Sequence, residues 1–263
     1  MNKLVWQLNA LTNRNRIAKF EGRDRAHKDC RFSRASSGGA GKRIARDFRW
    51  AGVSIPPPSN YPDFKGLANQ VAAGAWTLGE NEPIERFLGG LVDKHISVHE
   101  RVAELLANPD SRPTSLHFDL LRLFDSAAKA RIVTTNFDLH FSSAARTLFT
   151  GNEACEVYAA PALPLGHFFN GIVYIHGAVD HPPRRLVLTD TDFGHAYLTE
   201  GWARLFLQRV FESFTVLFVG YSHDDPVMNY LARGFTPEMN RARRYALSVR
   251  GGEDVLAQPE MER

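Results

Sequence analysis

Arg131-Ile132-Val133-Thr134-Thr135-Asn136-Phe137-Asp138 is the stretch on which the fold turns. Branching at Cβ suits Ile132, Val133 and the two threonines to an extended chain, and so short and apolar a run reads as a buried parallel strand. The character changes at once after Thr135. Asn136 and Asp138 at a strand's carboxyl edge are suited to bind sugar hydroxyls or to place a water; equally, they suit an Asx turn that starts the next helix. Upstream, Leu116, Leu120, Leu123 and Phe124 recur at helical spacing, so Ser115 to Ala128 is expected to be an amphipathic helix feeding the strand.

Downstream the same grammar repeats. Gly171 to Ile175, Arg185 to Thr189, Thr215 to Val219 and Tyr245 to Val249 read as further strands, and Ala203 to Phe214 as a helix between two of them. Helices alternating with β-branched strands predict an α/β fold: a doubly wound, mostly parallel, Rossmann-like sheet covered on both faces. A small helical insertion is expected at about 80–128, because Glu82 to Ala107 also carries helical periodicity up to Asn108-Pro109-Asp110. Before it, Lys65 to Trp76 reads as a short helix, and Ile55-Pro56-Pro57-Pro58 as a loop, since three prolines fix φ and remove donors.

The chain divides into a basic arm at 1–49, disordered or divergent, a main domain at 50–250 and a polar tail at 251–263. The arm holds thirteen Lys/Arg against four Asp/Glu, a net of +9; with +3 for the whole chain, the remainder carries −6. Nucleic acid is a candidate partner only through that arm, the alternative being a solvated tail. Hydrophobic residues make up 44% of the chain, which excludes global disorder, and no apolar run approaches the ~20 residues of a membrane span. Met1 to Phe20 lacks the continuous apolar core of a signal peptide, and there are only two cysteines, Cys30 and Cys155. A reduced, cytoplasmic chain is expected, and a four-cysteine zinc site is excluded.

Three further clusters stand out: Trp50-Ala51-Gly52-Val53-Ser54 ahead of the proline loop, and Tyr174-Ile175-His176-Gly177 and Gly220-Tyr221-Ser222 at the ends of strands. His176 is a candidate proton acceptor or a structural histidine. Gly220 and Ser222 suit binding of phosphate or ribose through backbone amides. Gly39-Ala40-Gly41-Lys42 fails as a P-loop, because Arg43 stands where Ser or Thr is needed. His95 and His99 have metal-compatible helical spacing but no accompanying Glu-x-x-His pattern, so surface histidines are expected and no metal site is assigned.

In order along the chain, small-residue loop, Thr-Asn-Phe-Asp, His-Gly and Gly-Tyr-Ser, these clusters resemble the sirtuin-like family. The likeness is greatest to the bacterial sirtuin-like domains that deplete NAD⁺ in phage defence, often fused to a sensor region. The resemblance implies NAD as substrate and a hydrolase that cleaves the nicotinamide–ribose bond. It assigns Ala51, Gly52 and Ser54 to the phosphates and adenosine side, and Asn136 and Asp138 to the nicotinamide ribose beside Thr135. Asn136 would also place the attacking water, His176 would be the general base, and Gly220 and Ser222 would contact the adenine ribose. A homo-oligomer or a sensor partner is also implied, and no membrane. The rival readings are a non-catalytic NAD- or ADP-ribose-binding module and, less well supported, a protein deacylase, since no cysteine follows His176 where family deacylases carry a zinc ribbon. Trp50 replaces the loop's first glycine, and the charged run Arg43 to Arg49 before it is no strand. The first strand of the nucleotide-binding unit is therefore expected to be missing or replaced.

Overall fold

The computed structural model of the protein describes residues 3–7, 52–150, 154–219 and 244–247. Six strands form one parallel sheet: β1 (Lys3–Gln7), β2 (Arg131–Thr134), β3 (Val157–Ala159), β4 (Gly171–Tyr174), β5 (Thr215–Val219) and β6 (Arg244–Leu247), in the order β3-β4-β2-β1-β5-β6. The doubly wound α/β expectation holds. The expectation of a missing first strand does not: β1 is central, with Val5 beside Ile132 on one side and Leu217 on the other. It lies 124 residues before β2 rather than directly before the small-residue loop, so the charged run ahead of Trp50 is not where the first strand is to be sought. The rest of the 1–49 segment, and the 251–263 tail, lie outside the described residues.

Side-chain alternation along the strands builds two cores. Ile132, Ile172 and Tyr174 face one way, onto α4 (Ser115–Leu121) and α5 (His140–Leu148) through Leu120, Leu121, Phe141 and Ala144. Val133, Val173, Ile175 and Val216 face the other way, onto α7 (Trp202–Ser213) through Ala203, Phe206, Leu207 and Val210. A strand buried on both faces has no polar side to alternate with, so an apolar run is what a parallel sheet requires.

The third core belongs to the helical insertion. Helices α1 (Phe64–Ala72), α2 (Ile84–Asp93) and α3 (Val98–Leu106) enclose Leu67, Val71, Leu88, Leu91 and Val102, and Phe137 enters from the sheet side. The single helical stretch expected at Glu82 to Ala107 is broken. His95 takes φ 61°, its amide returns to Val92 and the Ile96 amide to Leu91, which closes α2 with a left-handed cap. Glycine usually signals such a cap; a histidine there gives no warning.

Arg185 to Thr189 is not a strand. Pro183–Arg185 form a 3₁₀ turn, and the extended residues after it send Leu186 and Leu188 into the helical core and Val187 toward the sheet. The alternation is real, but it bridges two cores instead of pairing in the sheet. Thr189 then caps α6 (Asp190–Gly194), which runs into a π turn at His195–Thr199. Strand β3 and helix α5 had no clear signal of their own. Among the described residues no helix is long and apolar enough to cross a membrane.

Gly171 opens β4 at φ 111°, and a Cβ there would run into the carbonyl of Glu156. Gly171→Ala is expected to cost ~2 kcal/mol, from the strain of the left-handed region plus that clash. Thermal denaturation reads it, and an unchanged midpoint would refute the close approach of these two segments.

Candidate functional site

Parallel register brings the strand ends to one rim. Thr134 pairs with both Gln7 and Tyr174, and Gln7 pairs with Val219, so β1, β2, β4 and β5 all finish at one edge. The sheet order also reverses at β1, because the chain builds β2 to β4 on one side and then crosses to β5 and β6 on the other. In open α/β sheets such a switch point is where ligands bind. Asn136 and His176 each stand two residues past the paired Thr134 and Tyr174, and the two loops start joined by the Ile175 amide donating to the Thr134 carbonyl at 3.0 Å.

The loop after β2 is shaped by its own side chains. The Asn136 amide donates to Thr134 Oγ1 at 3.1 Å, and Asp138 Oδ1 accepts the His140 amide at 3.0 Å, so the Asx turn leading into α5 is present. Between them Phe137 is buried in the helical core. That anchor leaves Asn136 and Asp138 beside a cleft lined also by Ser54, Tyr61 and Leu67, which encloses about 20 Å³. Asn136 Nδ2 donates to Ser54 Oγ at 2.9 Å. Two residues expected at the site from stretches 82 positions apart are thus in contact.

Ser54 sits in a loop that is pinned along its length. The Ile55 amide returns to Gly52, and Thr114 Oγ1 donates to the Val53 carbonyl at 3.1 Å. Ser59 Oγ donates to the Arg112 carbonyl at 2.6 Å, and Tyr61 Oη to that of Leu106 at 2.7 Å. Gly52 and Ser54 are buried here. Ala51, Gly220 and Ser222 lie outside the described residues. Thr135 is buried at the start of the same loop as Asn136.

His176 is at the rim but not in this cleft. Its Nε2 lies 2.8 Å from Tyr197 Oη, and Phe193 packs edge-on at 5.1 Å. Burial pushes its pKa down to about 3, so the ring is neutral. Asn136 and His176 therefore share an edge of the sheet while belonging to separate networks, one toward the helical insertion and one toward α6 and α7.

Two further buried histidines escaped the sequence reading. His117 Nε2 lies 3.3 Å from Ser54 Oγ, and His140 Nε2 lies 2.8 Å from Ser111 Oγ. Burial lowers both, His117 strongly and with help from the nearby His140; for His140 the Asp138 carboxylate opposes the effect and Arg112 adds to it. Their only signal was helical spacing toward the sheet. His95 and His99 do not share a helix, since the break falls between them. His95 is exposed, whereas His99 Nε2 meets Asp192 Oδ2 at 2.9 Å, tying α3 to α6. Among the described residues no three His, Cys, Asp or Glu side chains are grouped to hold a metal ion. Cys155 is half-buried and reduced, its thiol pushed up to about 11 by burial and by Glu156.

A doubly wound parallel sheet with polar loops gathered at its switch point defines an open α/β domain with its site at the carboxyl edge. A family model described as a SIR2-like domain matches residues 130–263, and the chain belongs to that family. The match includes Asn136, Asp138 and His176; the loop bearing Ser54 precedes it. Membership implies NAD-related activity. The chain is also 31% identical, over 232 residues, to the uncharacterized protein y4cA of Sinorhizobium fredii (strain NBRC 101917 / NGR234), covering 79% of this chain and 19% of that protein. It thus spans about a fifth of that relative's length.

The ion pair and the buried histidines make opposite pH predictions. His99 is raised by its bond to Asp192; burial opposes ionisation of Asp192, but His99 and the Thr189 and Leu188 amides lower its pKa. A raised histidine stabilises fully below its unfolded pKa of ~6.5 and loses that contribution as pH climbs through the folded value. The gap in melting temperature between the native chain and Asp192→Asn should therefore be widest between about pH 4 and pH ~6.5, narrowing above as His99 loses its proton and below as Asp192 gains one. His117, His140 and His176 are lowered, so their contribution is complete above ~6.5 and falls away as acid must protonate them. Melting temperature should decline from about pH 6.5 downward; a flat profile to pH ~4 would contradict the burial of three neutral rings.

Proposed function

We propose that the chain binds NAD⁺ at this rim and hydrolyses its nicotinamide–ribose bond. The observation that carries the reading is the cleft in which Asn136, Asp138 and Ser54 meet at the switch point of a SIR2-like domain. Breaking the C1′–N bond sends its electron pair to nicotinamide and leaves a ribose with oxocarbenium character. Asp138 is the carboxylate of the cleft and offsets that charge. A water held by Asn136 forms the new C1′–O bond and gives up a proton, so the products are nicotinamide, ADP-ribose and H⁺. A volume of about 20 Å³ accommodates one water.

The remaining roles extend the same reading. Gly52 and Ser54, with Ala51, serve the phosphates and adenosine side; Thr135 supports the ribose; Gly220 and Ser222 contact the adenine ribose. His176 is the residue the resemblance assigns as general base on a ribose hydroxyl, although burial lowers its pKa to about 3 and so makes the unliganded ring a weak proton acceptor. Depletion of NAD⁺ in phage defence is the physiological setting that the family resemblance suggests. One observation favours the second reading, a binding module without turnover: the His176 ring is engaged with Tyr197 and does not line the cleft.

Incubation of the purified chain with NAD⁺, following free nicotinamide, separates the two. Release without an acyl-peptide is expected, and Asn136→Ala and His176→Ala should each lower kcat by about 100-fold or more with folding intact. Binding without release in the native chain would establish the module instead. Undiminished turnover in His176→Ala would remove the base from the mechanism.

A further inference from the structure

The Ser54 hydroxyl has a determinate hydrogen-bond sense, and the residue that imposes it lies outside the cleft. His117 stands at the third position of α4, where Glu or Gln would complete a capping box. Its Nδ1 accepts the Thr114 backbone N–H at 3.0 Å, and a backbone amide can only donate; Thr114 Oγ1 lies 2.8 Å from the same nitrogen, with its one proton shared between Nδ1 and the Val53 carbonyl. In a neutral ring the proton must then be on Nε2, which points at Ser54 Oγ from 3.3 Å. Asn136 Nδ2–H also donates to that oxygen, at 2.9 Å. Both lone pairs of Ser54 Oγ are thereby occupied, and among the described residues no acceptor is bonded to its one proton. Ser54 lines the cleft and is 3% exposed.

We propose that His117 is a positioning residue that holds Ser54 as an obligate hydrogen-bond donor to an oxygen of the bound dinucleotide. Through Ser54 it also orients the Asn136 amide, whose nitrogen is turned to the serine. The arrangement rules out a catalytic serine. A serine nucleophile needs an unprotonated ring nitrogen facing it, whereas here Nε2 carries the proton. The pair resembles a Ser–His dyad in distance and is its opposite in proton placement. Ring contacts keep His117 in place: Phe141 packs edge-on at 4.7 Å and His140 at 5.4 Å. The inference rests on the NAD⁺ reading and names how one ligand oxygen is met.

Two measurements test it. In ¹⁵N-histidine-labelled protein, His117 should show an unprotonated Nδ1 and a protonated Nε2; the other tautomer, or a doubly protonated ring at neutral pH, would overturn the proposal without any variant being made. The second is a double-mutant cycle in NAD⁺ affinity, read by calorimetry. Ser54→Ala and His117→Phe should each weaken binding about 10-fold, the double variant no further, and His117→Gln should restore most of the loss. Additive losses, or full affinity in a folded His117→Phe, would show that His117 does not act through Ser54. Absence of NAD⁺ binding by the native chain would instead overturn the NAD⁺ reading, and with it this assignment of the ligand.

Discussion

Parallel pairing at Thr134 is the constraint from which the rest of the architecture follows. Its neighbours are Gln7 on one side and Tyr174 on the other, so three strands stop level and their loops leave the sheet together. Parallel strands need long crossovers, and among the described residues the connection after β2 supplies α5 over one face, the one after β4 supplies α7 over the other, and the segment ahead of β2 supplies the helical insertion at the rim. Had β2 slipped by one residue, Ile132 and Val133 would exchange cores and Asn136 would leave the edge.

The site is then a matter of anchoring. A loop that must present Asn136 and Asp138 together needs the intervening residue held elsewhere, and Phe137 does this by entering the insertion's core. The proline-rich loop is held from the same quarter, by Ser111, Arg112 and Thr114 just before α4. The insertion therefore supports both walls of the cleft. Preorganisation of this kind lowers the cost of ordering polar groups around a ligand.

Buried histidines concentrate where these supports meet. His117 and His140 pack edge to face and reach Ser54 and Ser111, while His176 is enclosed by Phe193 and Tyr197. All three are uncharged because removing an imidazolium from water is costly. A neutral ring has one donor and one acceptor, so its partners dictate where the proton sits. The site's chemistry is written partly in those tautomers.

The amino-acid sequence by itself determined the class of fold, since the short β-branched runs at Ile132-Val133, Ile172-Val173 and Val216 to Val219 alternate with helical segments, as a buried parallel sheet requires. It also determined the Asn136–Asp138 loop and its place at a strand's end, because local turn chemistry acts within a few residues. Tertiary structure decided what depends on distant partners. β1 at Lys3–Gln7 acquires its place only by pairing on both sides with strands more than a hundred residues away. The left-handed turn at His95 and the bridging role of Val187 are likewise imposed by cores that no local pattern announces. So is the contact of Ser54 with Asn136 and His117: hydrogen-bond partners 82 and 63 residues apart are chosen by packing.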